Sequence, residues 1–408
     1  MTRRVVILGS LDTKGLEVDF LSQAVRSEGG KPLVVDTGVL GEPTTAAHIS
    51  RHEVAAAAGS SIPALIHQGD KTHALVTMAE GASVILRALL AEGQLGGVLS
   101  IGGSRGTALS TRVMQSLPVG VPTLMVSTIA SGHNEFGPYV GTKDLTLMHS
   151  VADVAGINAL TRTIFTNAAA AIVAMSRVGA PVQSGDKRVM AASMLGVSTA
   201  LVSQIQSLVE PDGWEVIAFH AVGPGGQSME ELIDRGVVKG LFELTPGEMV
   251  ALLVDGPFSA GPDRMRAAGR RGIPQVVAPG GLDFIIEGPI DQLPAKYAGR
   301  KTMIHTPTIS LVRTSADEMA AVARLIAERL AESTGPAAVI LPLHAFGAFA
   351  RPGQPLHDPE SDRAFIDTIR ACLPGHVRLV EMDTHLNDPA VGEMAVRLMR
   401  DMLDDKAK

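Results

Sequence analysis

This chain predicts an α/β fold of two Rossmann-like subdomains, with mainly parallel sheets and a ligand cleft between them, and three observations predict it. Short aliphatic runs alternate with longer helix-like stretches along the whole sequence, as strands and crossover helices of a parallel sheet do. There are 43 glycines but only two tyrosines and one tryptophan, a composition suited to aliphatic strands joined by tight turns. Midway the pattern restarts: Lys187-Arg188-Val189-Met190-Ala191-Ala192-Ser193 echoes the opening Arg3-Arg4-Val5-Val6-Ile7-Leu8-Gly9-Ser10, with a helix-like run and a second strand following at similar spacing.

In the first half the apolar spacing predicts strands at 4–8, 32–36, 97–101 and 122–127, and helices at 15–27, 48–57, 71–92, 107–117 and 158–177. A polar Gly/Pro-marked segment at 179–186 then separates a nucleotide-binding subdomain, 1–182, from a second α/β subdomain, 187–408. The second half carries strand patterns at 187–195, 214–219, 275–278, 302–305, 337–341 and 378–381. Its helix patterns fall at 199–208, 229–233, 262–270, 316–331, 361–371 and 390–403.

Composition excludes several classes of function. At 408 residues and a formal net charge of −7, with few aromatic residues, the chain lacks the basic, stacking surface of a nucleic-acid binder. One cysteine, Cys372, excludes an intrachain disulfide and any cysteine-rich zinc site, which makes the cytoplasm the default compartment. The apolar run at 5–8 is too short for a signal peptide, and no apolar run approaches the roughly 18 residues of a membrane span, so no membrane partner is expected.

The chemistry concentrates where strands give way to helices. Ile101-Gly102-Gly103-Ser104-Arg105-Gly106-Thr107 is a glycine-rich turn between a strand and a helix. Unpaired N–H groups and the positive end of a helix dipole meet an anion at such a place, and the Ser104 and Thr107 hydroxyls can add bonds. A tight turn without a ligand gives the same pattern. A second such turn, Gly9-Ser10-Leu11-Asp12-Thr13-Lys14-Gly15, follows the first strand. It matches neither the phosphate loop nor the dinucleotide fingerprint. There Lys14 can neutralise phosphate and Asp12 can hold a divalent ion, or both can be solvated capping residues. A third turn, Ser127-Thr128-Ile129-Ala130-Ser131-Gly132-His133-Asn134, can complete the cradle or satisfy its own backbone. Asp36, closing the second strand, stands where a carboxylate can bind a ribose hydroxyl, or where an Asp before Thr37-Gly38 can form a turn.

The second half places His220, His305, His344 and His385 at predicted strand ends, with Asp283 after Gly280-Gly281. Convergence of His220, Asp283, His344 and His385 on one cleft facing the nucleotide half would supply acid–base groups for a small polar substrate. No pair has compact metal-ligand spacing. A further glycine turn, Gly223-Pro224-Gly225-Gly226, can take a carboxylate or phosphate.

Taken together, the turns at 9–15, 101–107 and 127–132, with His220-Ala221-Val222-Gly223-Pro224-Gly225-Gly226, Ala278-Pro279-Gly280-Gly281-Leu282-Asp283, His305-Thr306-Pro307-Thr308 and His385-Leu386-Asn387-Asp388-Pro389, resemble an uncharacterised bacterial and fungal family. That family is related to the N-terminal domain of the tomato mosaic virus resistance protein. The resemblance implies a two-subdomain α/β fold, ATP binding with Mg²⁺ through the first-half turns, and a homodimer. Pro224 departs from the family's pattern. Three functions follow as alternatives: an ATP-dependent enzyme on a small carboxylate or phosphate metabolite, an ATP-responsive regulatory or protein-binding module, and a nucleotide-independent hydrolase or isomerase.

Overall fold

The structure is a computed structural model describing residues 3–131, 137–178 and 188–406. The chain forms two compact units, Met1–Val182 and Gln183–Lys408. The expected divider at 179–186 lies outside the described residues.

The first unit runs β1 (Arg4–Gly9), α1 (Leu11–Ser27), β2 (Pro32–Asp36), α2 (Arg51–Ala57), α3 (Ile62–Gln68), α4 (Lys71–Ala91), β3 (Leu95–Gly102), α5 (Ser104–Gln115), β4 (Thr123–Ser127), α6 (Gly137–Val140), β5 (Thr146–His149) and α7 (Ala159–Val178). Its sheet has the order β2-β1-β3-β4-β5 with every neighbour parallel. Strand side chains alternate between two cores. Val6, Leu8, Val98 and Met125 pack with Val54, Met78, Leu86 and Val113 of α2, α4 and α5. Val5, Ile7, Leu99 and Val126 pack with Val18, Leu21, Phe165 and Ile172 of α1 and α7. Helices on both faces are why these strands read as unbroken apolar runs.

Two helices depart from the expectation that no apolar run approaches a membrane span. α4 and α7 are long and apolar enough to cross a membrane by length and composition. In this fold Met78, Ala79, Ala82 and Leu86 of α4, and Phe165, Ala168, Ala169 and Ile172 of α7, instead face the two cores. α1 also begins earlier than its apolar pattern, because a first turn at Leu11 breaks at Lys14 (φ −128°, ψ 21°) before the amphipathic run begins.

The second unit runs β6 (Arg188–Met194), α8 (Thr199–Val209), β7 (Trp214–His220), α9 (Pro224–Asp234), β8 (Val238–Glu243), α10 (Gly247–Leu253), α11 (Ala267–Arg271), β9 (Gln275–Val277), β10 (Phe284–Glu287), β11 (Thr302–Thr306) and β12 (Ile309–Arg313). It ends with α12 (Ala316–Ala331), β13 (Ala337–Pro342), α13 (Pro359–Cys372), β14 (Arg378–Met382) and α14 (Pro389–Lys406). Six parallel strands take the order β14-β13-β9-β8-β6-β7. With β6 counted as the first strand, the winding second-first-third-fourth repeats that of the first unit. The restart in the sequence is thus a repeat of topology.

Two expectations change here. The strand at 302–305 forms, but in a separate antiparallel sheet, β10-β12-β11. The helix expected at 262–270 shrinks to Ala267–Arg271, since Met265 takes φ +64° and breaks any helix through it.

Candidate functional site

In a doubly wound sheet, ligands sit outside the carboxyl ends of the strands, where the strand order reverses. In the first unit that point lies between β1 and β3. The turns after those two strands meet there around a pocket of about 540 Å³. Gly9, Ser10, Asp12, Thr13 and Lys14 form one wall, and Gly102, Gly103, Ser104 and Gly106 form another. Nine residues chosen from two distant stretches of sequence therefore line one cavity. At α5 the N-cap is Gly103, which offers no side-chain hydrogen bond to the first turn. Among the described residues no side chain caps this first turn, and its Ser104, Arg105 and Gly106 line the pocket, which suits an anion.

The glycines there are not equivalent. A Cβ on Gly102 would come within 3.0 Å of the Gly106 Cα, so close packing of strand against helix demands glycine. On Gly103 the nearest atom would be Thr128 Oγ1 at 3.7 Å, an ordinary contact. At Gly103 the fold leaves room for a Cβ.

Other expected residues stand behind the pocket and build it. Asp36 is buried, and its Oδ1 accepts hydrogen bonds from the Leu11 N–H (3.1 Å) and the Gly38 N–H (2.8 Å). Burial pushes its pKa up, against those bonds. A carboxylate so enclosed holds the first turn to the loop after β2, so of the two expected roles for Asp36 the structure matches the turn former and not the ribose contact. Asp12 does similar work: its Oδ2 accepts from the Leu40 and Gly41 N–H groups, each at 3.1 Å. Lys14 donates to the Val154 carbonyl. Thr107 donates to the Gly103 carbonyl at 2.9 Å and lies 2.6 Å from the Ser127 hydroxyl, both of them buried. Thr128 borders Gly103, and its N–H donates to the Gly102 carbonyl at 3.2 Å. Ser131 is exposed and off the pocket wall, and Gly132 lies outside the described residues.

Motif reading missed the apolar side. Leu40, Leu65, Ile66, Ala74, Leu75 and Leu109 line the pocket from the loop after β2 and from α3, α4 and α5. Leu40 and Ile66 are 71% and 48% exposed. Asp70, Lys71 and Arg105 complete the rim. The only sequence signal for this wall was the position of Arg105 inside a glycine turn.

The second unit repeats the topology but closes the equivalent crevice. Between β6 and β8 the carboxyl ends are covered by the antiparallel sheet, with Leu195, Val197, Phe284, Leu311 and Leu356 in one core. The pocket remaining there, beside Gly247, Glu248, Gly281 and Phe284, measures about 10 Å³, room for no more than one water. The glycine turn before α9 already holds a carboxylate of the chain itself. Glu248 Oε1 accepts from the Gly223 N–H at 2.5 Å and the Gly226 N–H at 3.2 Å. Arg264, fully buried, donates to Glu248 Oε2 (2.6 Å), to both oxygens of Glu243 (2.5 and 2.8 Å) and to Glu230 (3.1 Å). Burial raises the pKa of Glu248 against the pull of Arg264.

The expected four-residue cleft does not assemble as a set. His220 ends β7 at one edge of the sheet, four strands from β13 and five from β14. At about 4.8 Å per strand that is roughly 19 Å or more, beyond the reach of one small substrate. His344 and His385 do come together, because pairing of β13 with β14 continues past the strand ends through Ala345 and His385. His344 Nε2 lies 2.8 Å from Asp383 Oδ1 in an exposed pair. Burial, and then the nearby Arg351, lower the His385 pKa. Asp283 is fully buried beneath Gly347, and neither carboxylate oxygen has a hydrogen-bond partner among the described residues. Burial pushes its pKa up to about 7, against the nearby Arg313. Among the described residues no three His, Cys, Asp or Glu side chains form a metal cluster.

Fold and pocket together define a two-unit α/β protein whose N-terminal unit is open at its switch point and whose C-terminal unit is closed there. The chain belongs to the uncharacterised protein family UPF0261: the family's N-terminal domain matches residues 3–181 and its C-terminal domain residues 187–403. It is 38% identical over 405 residues to a UPF0261 protein of Clostridium tetani (strain Massachusetts / E88), with 99% of both chains covered. It is 35% identical over 402 residues to UPF0261 protein RA0729 of Rhizobium meliloti (strain 1021), covering 98% of this chain and 99% of that one. The tomato ToMV susceptible protein tm-1(GCR26) is 30% identical over 407 residues, which span 94% of this chain but 54% of the tomato protein.

Proposed function

We propose that the N-terminal unit binds ATP, with Mg²⁺ carried on the phosphates, in the crevice between β1 and β3. The observation that carries this reading is the uncapped amino end of α5 opening into a cavity of about 540 Å³ at the switch point of the sheet. A polar glycine floor suits the phosphates, and the aliphatic wall of Leu40, Leu65, Leu75 and Leu109 suits a base. ATP rather than another nucleotide is what the family resemblance implies. Titration calorimetry of the full chain with ATP tests this. Micromolar-range binding that is lost in Gly103→Val supports it, while unchanged affinity in that variant overturns the placement.

A second reading makes the protein an enzyme that uses the nucleotide on a small carboxylate or phosphate metabolite. The observation in its favour is the His344–Asp383 pair beside His385 at the carboxyl ends of β13 and β14. ATP turnover in the presence of candidate acids, abolished in His344→Ala, supports this reading; binding without turnover supports the regulatory alternative. A homodimer in the cytoplasm completes the proposal, with sedimentation of the purified chain and fractionation of its source cells as the respective checks.

A further inference from the structure

Charge in the pocket comes from a side that motif spacing does not mark. Lys14 is the cation of the first glycine turn, yet its ammonium is held by the Val154 carbonyl. Arg105 and Lys71 line the same cavity from the first turns of α5 and α4. Both are exposed, and neither makes an ion pair or a side-chain hydrogen bond with any described residue. The opposing charges are Asp12 and Asp70, and one Asp70 oxygen accepts from the Thr72 and His73 N–H groups at 2.8 and 3.0 Å. Arg105 sits one residue inside a helix whose first turn has no side-chain cap. Guanidinium, free N–H groups and helix dipole there attract one and the same anion.

We infer that Arg105, together with Lys71, reads the phosphate charge in this pocket and sets its ligand class as nucleoside polyphosphate over uncharged nucleoside. The inference rests on the ATP reading above. A guanidinium donates two parallel N–H bonds to phosphate oxygens, and Arg105 gives up no partner among the described residues to do so. Asp36 is buried off the pocket wall, and the Asp12 carboxylate is turned toward the Leu40 and Gly41 N–H groups.

The test is titration calorimetry of the full chain with ATP, ADP and adenosine, for wild type, R105Q, R105K and K71Q. R105Q is expected to weaken ATP about 10- to 100-fold and to leave adenosine within about twofold. R105K restores part of the loss, K71Q gives a smaller loss of the same kind, and the salt dependence of ATP binding flattens in R105Q. Equal weakening of ATP and adenosine, or no weakening of ATP, overturns the assignment while leaving nucleotide binding in place. A wild-type chain that binds neither ATP nor adenosine overturns the ATP reading and this inference together. Thermal unfolding of R105Q at the wild-type temperature confirms that the variant is folded.

Discussion

Glu248 Oε1 lies 2.5 Å from the Gly223 nitrogen, so a carboxylate from 25 residues away occupies the amino end of α9. Both units carry a glycine-rich strand-to-helix turn, after the third strand in the first unit and after the second strand in the second, and the one before α9 is filled by the chain itself. In the second unit the anion is built in, and the buried Arg264 holds it in place.

Removing that internal anion therefore destabilises the second unit. Glu248→Ala strands the Gly223 and Gly226 N–H groups and unbalances Arg264, and it is expected to cost about 3 kcal/mol. Urea unfolding followed by the signal of Trp214, in β7, reads the loss. A change under about 0.5 kcal/mol would show that the network contributes nothing net.

Neighbouring glycines of the open turn separate fold from ligand. Gly102→Val forces a side chain against the Gly106 Cα and is expected to lower stability by about 2 kcal/mol. Gly103→Val meets only ordinary contact and is expected to keep stability within about 0.5 kcal/mol while losing ATP. Paired melting and calorimetry decide the matter, and the idea fails if both variants behave alike.

Asp36 is expected to act through the backbone. Asp36→Ala leaves the buried Leu11 and Gly38 N–H groups unpaired, at a cost of about 2 kcal/mol. It should weaken adenosine and 2′-deoxyadenosine to the same extent. A selective loss for the ribose form would restore Asp36 to a sugar contact.

Asp283 makes the second unit sensitive to pH. Its pKa is about 7 in the fold against an ordinary 3.8. Between those values the folded state holds a proton that the unfolded chain has released. The contribution is full below pH 4, falls as pH rises, and is gone above pH 7, for a total of at most about 4 kcal/mol. Asp283→Asn is expected to flatten stability between pH 5 and 8 relative to wild type. Parallel pH profiles for the two proteins would disprove it.

Much of the architecture was legible because it is local. The alternation of Val5, Val6, Ile7 and Leu8 between two buried faces, the glycines at 102, 103 and 106, and the restart expected from 187, where β6 begins at Arg188, are set by neighbours in sequence, and each marked a real strand, turn or repeat. β8 escaped notice because Lys239 and Gly240 interrupt its apolar pattern, although Phe242 and Leu241 are buried at the centre of the sheet.

Sequence by itself determined the α/β class, the parallel winding and nine residues of one pocket, because strand periodicity and strand-to-helix turns depend on steric preferences within a few residues. Only the tertiary structure decided which polar groups remain free for a ligand. Lys14 met Val154, Asp36 met Leu11, and Glu248 filled the turn at Gly223, while Arg105 was left without a partner among the described residues. Partners 25 to 140 residues apart leave no trace in local spacing, and the burial that makes an unpaired polar group costly exists only once the sheets have formed.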